Sequence, residues 1–178
     1  MKALHPRFIR FVKTFKARGI VLRETEAGES DKRLILLCKG YGRLLVYARG
    51  ARKPKSKFLA AAQLFTYGDF IIGDGQQFYA LTQAEPIECF YGIRNDYDAL
   101  RYAHYIAEIS EKTILDAQPV DDLLLLLLKT YQILNLPSIV PPKQAALVFL
   151  FRFFDVSYQR ICRNKLRIDH ICTKLFAQ

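Results

Sequence analysis

The sequence contains no apolar run long enough to cross a membrane. Its longest runs are the six residues Leu123–Leu128 and the seven residues Ala145–Phe151, whereas a bilayer-spanning helix needs roughly 20. Residues 1–16 read MKALHPRFIRFVKTFK, and bases interrupt every apolar stretch there. A secretory signal, which has a continuous apolar core, is therefore not predicted. We expect a protein without a membrane segment that begins with a basic N-terminal extension over residues 1–16.

Metal-binding patterns are absent as well. The four cysteines form no CxxC pair and stand far apart, at Cys38, Cys89, Cys162 and Cys172. His104 has only Glu108 one helical turn away, and His170 has only Cys172 nearby, and two ligands do not complete a zinc site. We predict no metal and no cofactor. Scattered thiols in a chain without a signal favour a reduced, cytoplasmic protein.

Catalytic motifs are also missing. There is no Walker-type Gly-Lys-Ser/Thr, and Gly40-Tyr41-Gly42 lies between two predicted strands rather than at the start of a helix, so it is not a dinucleotide-binding turn. Acids cluster on a predicted loop, at Glu24, Glu26, Glu29 and Asp31. Bases flank that loop, and such acids are usually solvated. We predict a binding protein, not an enzyme; a metal-dependent nuclease using Glu24, Glu29 and Asp31 is the alternative.

What the chain does have is an uneven distribution of charge. Residues 1–57 hold 16 of its 27 Lys and Arg residues and only 4 acids, a net charge of +12. Residues 58–135 have a net charge of −7 and residues 136–178 a net charge of +5. A positive charge concentrated at one end of a chain is typical of a protein that binds a polyanion.

The first half of the chain alternates as β-strands do. Apolar runs at 17–24, 32–39 and 43–50, then at 63–73 and 76–85, are joined by polar or glycine-containing connections, which predicts five strands. The segment Phe58–Ala62 between the third and fourth strands is long enough for one helical turn. In the third strand, alternation separates an apolar face from one that carries Arg43, Leu45, Tyr47 and Arg49.

After Cys89 the periodicity becomes helical. Asn95 or Asp96 can cap a first helix that begins near Tyr97, and Asp121 and Asp122 open a second. A third helix, from Lys143 to about Val156, is apolar enough to be buried. The predicted fold is α+β: a five-stranded barrel followed by a small α-helical domain. SH3-like, split-barrel and OB-type barrels all fit this pattern, and the helical turn before the fourth strand favours the OB type.

The most basic segment follows the third strand. Residues 49–57 read RGARKPKSK, with five bases and no acid. Gly50 and Pro54 keep this segment out of regular structure, so we expect a loop whose charges follow a phosphate backbone. Lys32, Arg33 and Arg43 flank the same hairpin and extend the basic surface. Tyr41 and Tyr47 are candidates for stacking on bases. DNA is the favoured partner, and an RNA-binding module of translation or ribosome assembly is the alternative.

Several short motifs resemble the N-terminal domain of the RecO recombination mediators. They occur in the matching order over about residues 17–155: GIVLR at 19–23, GESDK at 28–32, YGR at 41–43, ARGARKPKSK at 48–57, LFTYGDF at 64–70, and QAE at 83–85 followed by Phe90-Tyr91. The resemblance implies an OB-fold domain joined to a helical domain in a bacterial DNA repair protein. Its DNA-contacting surface would comprise Lys32, Arg33, Arg43, Arg49, Arg52, Lys53, Lys55 and Lys57.

The resemblance also implies partners and a role. Members of this family bind single- and double-stranded DNA, anneal complementary strands, engage single-strand-binding protein, and work with RecR to place RecA on coated DNA. We therefore expect a non-catalytic mediator in the bacterial cytoplasm, associated with the nucleoid. The predicted domains are the extension at 1–16, an OB-fold domain at 17–89, a helical domain at 90–156 and an atypical basic tail at 157–178. The family normally continues beyond that point, so the tail suggests a truncated helical domain.

Overall fold

The structure, a computed structural model, describes residues 13–75, 78–114, 120–136 and 139–161, with side chains as far as residue 154. Within these residues five strands precede four helices. The strands are β1 Lys13–Ala27, β2 Asp31–Cys38, β3 Gly42–Ala48, β4 Tyr67–Asp74 and β5 Tyr79–Glu88. The helices are α1 Tyr91–Asn95, α2 Tyr97–Thr113, α3 Asp121–Leu134 and α4 Pro142–Ile161. None of the described helices is long and apolar enough to span a bilayer.

The five strands close into a barrel in the order β1-β2-β3-β5-β4. All neighbours are antiparallel except β3 and β5, which close the barrel through the parallel pairs Val46 with Tyr79 and Tyr47 with Ala80. The predicted α+β arrangement, a five-stranded OB-type barrel followed by helices, is confirmed. The predicted apolar face of β3 points inward, since Leu44, Val46 and Ala48 are buried in the barrel core.

The first strand is longer than the sequence indicates at both ends. It begins at Lys13, so residues 13–16, assigned above to the extension, pair with β4. It ends at Ala27, and Glu24 and Glu26 lie on the strand, not on the predicted loop. Charged side chains fit the strand at these ends because every side chain there is exposed or only partly buried. The N-terminal extension before residue 13 lies outside the described residues.

The connection between β3 and β4 contributes to the same core. Ala51, Phe58, Ala61 and Ala62 are buried in it. The backbone N–H of Ala62 donates to the carbonyl of Phe58 at 2.8 Å, which is the single helical turn predicted for residues 58–62. The basic segment 49–57 therefore lies between two buried points, the end of β3 and Phe58.

The helices form most of a second compact unit. Asp96 caps α2 as predicted, since its Oδ1 accepts from the N–H of Ala99 at 2.7 Å. Tyr131 of α3 is fully buried and donates to the carbonyl of Ala103 on α2 at 3.3 Å. Burial of this phenol in an apolar environment raises its pKa.

The expectation that the third predicted helix is buried is wrong for part of its surface. Ala145, Ala146, Phe149 and Phe153 of α4 are buried, but one row of apolar side chains is exposed, namely Leu147, Val148, Phe151 and Phe154. High apolar content reports how much of a helix can be buried, not how much its neighbours cover. The basic tail begins within α4, and residues 162–178 lie outside the described part of the chain.

Candidate nucleic-acid interface

The eight basic residues proposed from the sequence belong to the barrel unit, and the structure divides them into two sets. Four make a side-chain contact with the protein itself: Lys32, Arg43, Arg52 and Lys57. The other four are exposed and have no ion-pair or hydrogen-bond partner among the described residues: Arg33, Arg49, Lys53 and Lys55. Cations of the second set are available to an external anion without first breaking an internal contact.

The partnered set stabilises the barrel. Lys32 is paired with Glu24 and donates to the carbonyl of Ala62 at 3.2 Å, which joins β2 to the β3–β4 connection. Lys57 donates to the carbonyl of Thr82 on β5 at 2.6 Å. These two lysines therefore stabilise the fold. We expect them to contribute less to a phosphate site, because binding a phosphate would compete with these internal contacts.

Arg43 and Arg52 also make side-chain contacts with the protein itself. The guanidinium of Arg43 donates to the carbonyl of Glu111 at 2.9 Å. Arg52 forms a 2.9 Å ion pair with Glu26 and donates to the carbonyls of Gly28 and Glu29 at 3.3 and 3.2 Å. Arg52 thus fastens the basic segment to the turn between β1 and β2.

Arg33 and Tyr47 lie side by side on the outer surface of the barrel. Arg33 of β2 is the Cα partner of Tyr47 on β3 and of Thr25 on β1. The ring of Tyr47 lies 4.9 Å from that of Phe78, at an interplanar angle of 53°. Phe78 is 56% exposed, so the ring that contacts Tyr47 is open to solvent. Arg49 directly follows β3, and Lys53 and Lys55 lie on the loop after it. We call the set of Arg33, Tyr47, Phe78, Arg49, Lys53 and Lys55 the basic face.

Phe78 was missed at the level of sequence. It precedes β5 directly, in the connection that follows Asp74 at the end of β4 and contains Gly75. An aromatic residue in a turn-forming segment is the signal that could have identified it, because a turn seldom buries so large an apolar ring. The sequence predicts a strand over residues 76–85, which includes Phe78 and gives no reason to separate it from the residues that follow.

Tyr41, the second stacking candidate, lies elsewhere on the barrel. It stands in the turn between β2 and β3, is 40% exposed, and has its ring 4.7 Å from that of Phe15. Tyr47 is six positions further along the same hairpin, about 20 Å at the rise of a strand. The structure therefore does not bring Tyr41 together with the basic face.

A second group of cations lies where β1 pairs with β4. The side chain of Arg18 donates two hydrogen bonds to Asp69, at 2.6 and 2.9 Å, and Lys16 contacts the same carboxylate at 2.9 Å. Hydrogen bonds from Arg18, then from Lys16, hold the pKa of Asp69 well below its ordinary value. The hydrogen bond with Asp69 also raises the pKa of Arg18. We call this surface the paired face.

Two of the three acids considered for a nuclease, Glu24 and Asp31, are engaged with the protein, whereas Glu29 is exposed and its side chain has no described partner. Glu24 and Glu26 are paired with Lys32 and Arg52, and Asp31 accepts from the N–H of Gly50 at 2.7 Å. Within the described residues no three His, Cys, Asp or Glu side chains are grouped so that they could hold a metal ion. His170, Cys162 and Cys172 lie outside those residues.

The buried cysteine of the barrel is not a reactive thiol. Cys38 at the end of β2 is 1% exposed, and its burial raises the pKa of the thiol to about 12. A thiolate is the nucleophilic form, and this environment suppresses it. Cys38 is a core residue.

Comparison with known proteins supports the resemblance found in the motifs. Residues 12–90 match the family model described as the N-terminal domain of recombination protein O. The chain is 38% identical to a DNA repair protein RecO of Acetivibrio thermocellus over 120 residues, which cover 67% of this chain and 48% of that protein. It is 34% identical to the RecO of Halalkalibacterium halodurans over 142 residues, covering 80% of this chain and 55% of that protein.

A third relative extends the match further along the chain. The RecO of Clostridium acetobutylicum is 28% identical over 160 residues, which cover 90% of this chain and 62% of that protein. The chain therefore spans about half the length of the curated relatives that it matches. The similarity is not confined to the barrel, since a 160-residue match also includes helical residues.

Proposed function

Because this chain belongs to the RecO family of DNA repair proteins through its N-terminal domain, we propose that its barrel binds single-stranded DNA on the basic face and promotes the annealing of complementary strands. As part of a recombination mediator, it acts with RecR to load RecA onto DNA coated with single-strand-binding protein. Double-stranded DNA binds the same cations through its phosphates. No bond-making step is involved, and the protein works in the cytoplasm, at the nucleoid.

One observation supports the DNA-binding part of the proposal. Four exposed cations of the barrel unit have no described internal partner, and one of them, Arg33, lies beside Tyr47, whose ring contacts that of Phe78. Single-strand binding by barrels of this type combines phosphate neutralisation by cations with stacking of bases on aromatic rings, which tolerates any sequence. In OB folds the surface of strands 2 and 3 and the adjoining loops bind oligonucleotides, and Arg33 and Tyr47 lie on those strands.

Annealing follows from the same electrostatics. Two complementary strands repel each other through their phosphates, and the repulsion extends over roughly 10 Å at 0.1 M salt. Cations that neutralise one strand lower the barrier to the approach of the second. Stacking on an aromatic ring leaves the hydrogen-bonding edges of a base exposed for pairing. The basic face can thus hold a strand without concealing its sequence.

The test removes the four available cations together. In a variant with Arg33, Arg49, Lys53 and Lys55 replaced by Ala, we expect affinity for a single-stranded oligonucleotide to fall at least about tenfold at moderate salt. The slope of log K against log salt should flatten by about 3, since each neutralised phosphate of a single strand contributes roughly 0.7. Fluorescence anisotropy over a range of salt concentrations measures both quantities.

The matched control removes the same charge elsewhere. Its four substitutions to Ala are at exposed cations outside the basic face, namely Lys13, Lys39, Lys143 and Arg152. Equal losses of affinity in the two variants would show that only net charge matters and would remove the basic face from the proposal. An annealing assay on strands coated with single-strand-binding protein tests the mediator role, and competition between matched DNA and RNA strands separates DNA from RNA as the ligand.

A further inference from the structure

We propose that Asp31, an acid at the edge of the basic face, is a positioning residue that DNA binding requires. The inference rests on the proposed function and goes beyond it. Charge alone predicts that removing an acid from a DNA-binding surface strengthens binding. The contacts of Asp31 predict the opposite for a substitution that removes its hydrogen bond, because this carboxylate fixes the first turn of the basic segment.

The segment is attached to the β1–β2 turn at Gly50. Oδ1 of Asp31 accepts from the backbone N–H of Gly50 at 2.7 Å and from the hydroxyl of Ser30 at 3.3 Å. Two residues further on, the N–H of Arg52 donates to the carbonyl of Ser30 at 2.9 Å. Gly50 itself has φ of 67°, in the left-handed region that only glycine adopts without strain. The chain is thereby turned sharply between Arg49 and Arg52.

This turn determines where the available cations stand. The N–H of Lys53 donates to the carbonyl of Gly50 at 3.1 Å, and the N–H of Ser56 donates to the carbonyl of Lys53 at 2.9 Å. Each turn of the segment is therefore built on the one before it, starting from the residue that Asp31 holds. Arg49 precedes Gly50 directly, so its backbone is fixed by the same contact.

The side chain of Arg52 makes a second attachment to the same turn. It contacts the carbonyls of Gly28 and Glu29 and the carboxylate of Glu26. With Asp31 in place, the segment is held by its two buried ends, by the backbone hydrogen bond of Arg52 with Ser30, and by the polar contacts of Asp31 and of the Arg52 side chain. Loss of the Asp31 anchor leaves the N–H of Gly50 without this acceptor, and the contacts that remain, the backbone hydrogen bond of Arg52 with Ser30 and the side-chain contacts of Arg52, hold the chain two residues further along.

A prearranged loop binds more tightly than a mobile one because less conformational freedom is lost on binding. When only a fraction of the molecules holds the loop in its binding arrangement, the apparent affinity falls by that fraction. The repulsion between one partly exposed acid and a phosphate is screened by water and salt. We therefore expect the ordering effect of Asp31 to outweigh its repulsion of DNA.

Three single variants separate the two effects. Asp31→Asn removes the charge and keeps an oxygen that can accept from Gly50, so its affinity for a single-stranded oligonucleotide should equal or slightly exceed that of the parent. Asp31→Ala removes the same charge and also the acceptor, and its affinity should fall about fivefold. Glu29→Ala removes a neighbouring exposed charge whose side chain has no described partner, and its affinity should rise about twofold.

Thermal unfolding confirms that each variant is folded at the assay temperature. If Asp31→Ala is not, Asp31→Leu, which also lacks charge and acceptor, replaces it. The salt slope adds a readout that a general loss of stability would not move, and it should be flatter for Asp31→Ala than for Asp31→Asn. The inference is overturned if Asp31→Ala binds as tightly as Asp31→Asn. A four-cation variant that binds normally would instead overturn the proposed function, so the two failures are distinct.

Discussion

The basic face and the paired face lie on the same barrel, yet they differ in whether their cations have an internal partner among the described residues. On the paired face a single carboxylate, Asp69, binds both Arg18 and Lys16. On the basic face Arg33 lies between Thr25 and Tyr47, neither of which carries a charge. Strand pairing, which places residues distant in sequence side by side, therefore decides which of these cations have an acid beside them.

The same principle divides the basic segment internally. The side chain of Arg52 makes three contacts at the β1–β2 turn, whereas Lys53 and Lys55 are exposed and have no described partner. Arg52, Lys53 and Lys55 each carry one positive charge. They differ in the free energy needed to move the side chain to a phosphate, because Arg52 must first break an ion pair and two hydrogen bonds.

Disrupting β1, which carries Lys16 and Arg18 of the paired face and pairs with β2 of the basic face, should have the largest effect. Gly19 is the Cα partner of Cys38 on β2 and of Gly68 on β4, and a Cβ built there would lie 2.4 Å from the carbonyl oxygen of Leu37. We expect Gly19→Ala to lower the free energy of unfolding by about 3 kcal/mol or more, because backbone atoms must move. Denaturation by urea measures this change.

Gly40→Ala is the matched control for that experiment. Gly40 has φ of 74° and open space around its Cβ position, so only backbone strain opposes the new methyl group. That strain costs about 1 kcal/mol. Equal destabilisation in the two variants would mean that β1 is not tightly packed against β2 at Gly19, and the two faces would then not be fixed relative to each other.

An intermediate effect is expected when the paired face loses its acid. Asp69→Asn should lower the free energy of unfolding by about 1 kcal/mol at neutral pH, since exposed ion pairs are individually weak and this one is bidentate. The folded state depresses the pKa of Asp69, so the carboxylate stabilises the protein above its ordinary pKa of about 4. That contribution is lost as pH falls below this value, and the parent and the variant should converge in acid.

Asp69→Asn also removes the difference in pairing between the two faces. Without Asp69, Arg18 and Lys16 become available cations, so Asp69→Asn should raise affinity for single-stranded DNA about twofold and steepen its salt slope. Asp74→Asn is the control, because Asp74 is an exposed acid near the end of the same strand and has no described partner. A larger gain of affinity from the control would show that pairing with Asp69 does not withhold these cations.

Much of the fold could be predicted because it depends on local pattern. The alternation of Leu44, Val46 and Ala48 identifies the inner face of β3, and Asp96 was recognisable as a helix cap. The extent of β1 was not predictable in this way. Its ends carry charged residues, and only pairing with β4 and β2 shows that Lys13–Lys16 and Glu24–Glu26 are strand.

The candidate site was predictable in composition but not in arrangement. The sequence shows that the cations crowd into the first 57 residues, which suffices to predict a polyanion-binding surface. It cannot show that Lys32 is paired with Glu24 or that Tyr41 and Tyr47 stand at opposite ends of a hairpin. Those facts depend on register, and a shift of one residue would move every side chain to the other face.

The smallest effects are expected from single arginine substitutions, which test directly whether an internal partner decides the availability of a cation. Arg33→Gln and Arg18→Gln each remove one exposed arginine from a strand of the same barrel. Arg33→Gln should weaken single-stranded DNA binding about threefold and flatten the salt slope by roughly 0.7, the contribution of one phosphate. Its free energy of unfolding should change by less than about 0.5 kcal/mol, as for other surface positions.

Arg18→Gln should show the reverse pattern. Arg18 donates to both carboxylate oxygens of Asp69, so its loss should destabilise the barrel while DNA affinity and salt slope stay near the parent values. Anisotropy titrations and urea denaturation of the two variants give all four quantities. If both variants lost the same affinity, DNA binding would depend on the total charge of the barrel. The availability of individual cations would then not explain which residues bind DNA. Opposite patterns would show that an internal partner withdraws a cation from the ligand, because the two residues share their chemistry and differ in what lies beside them.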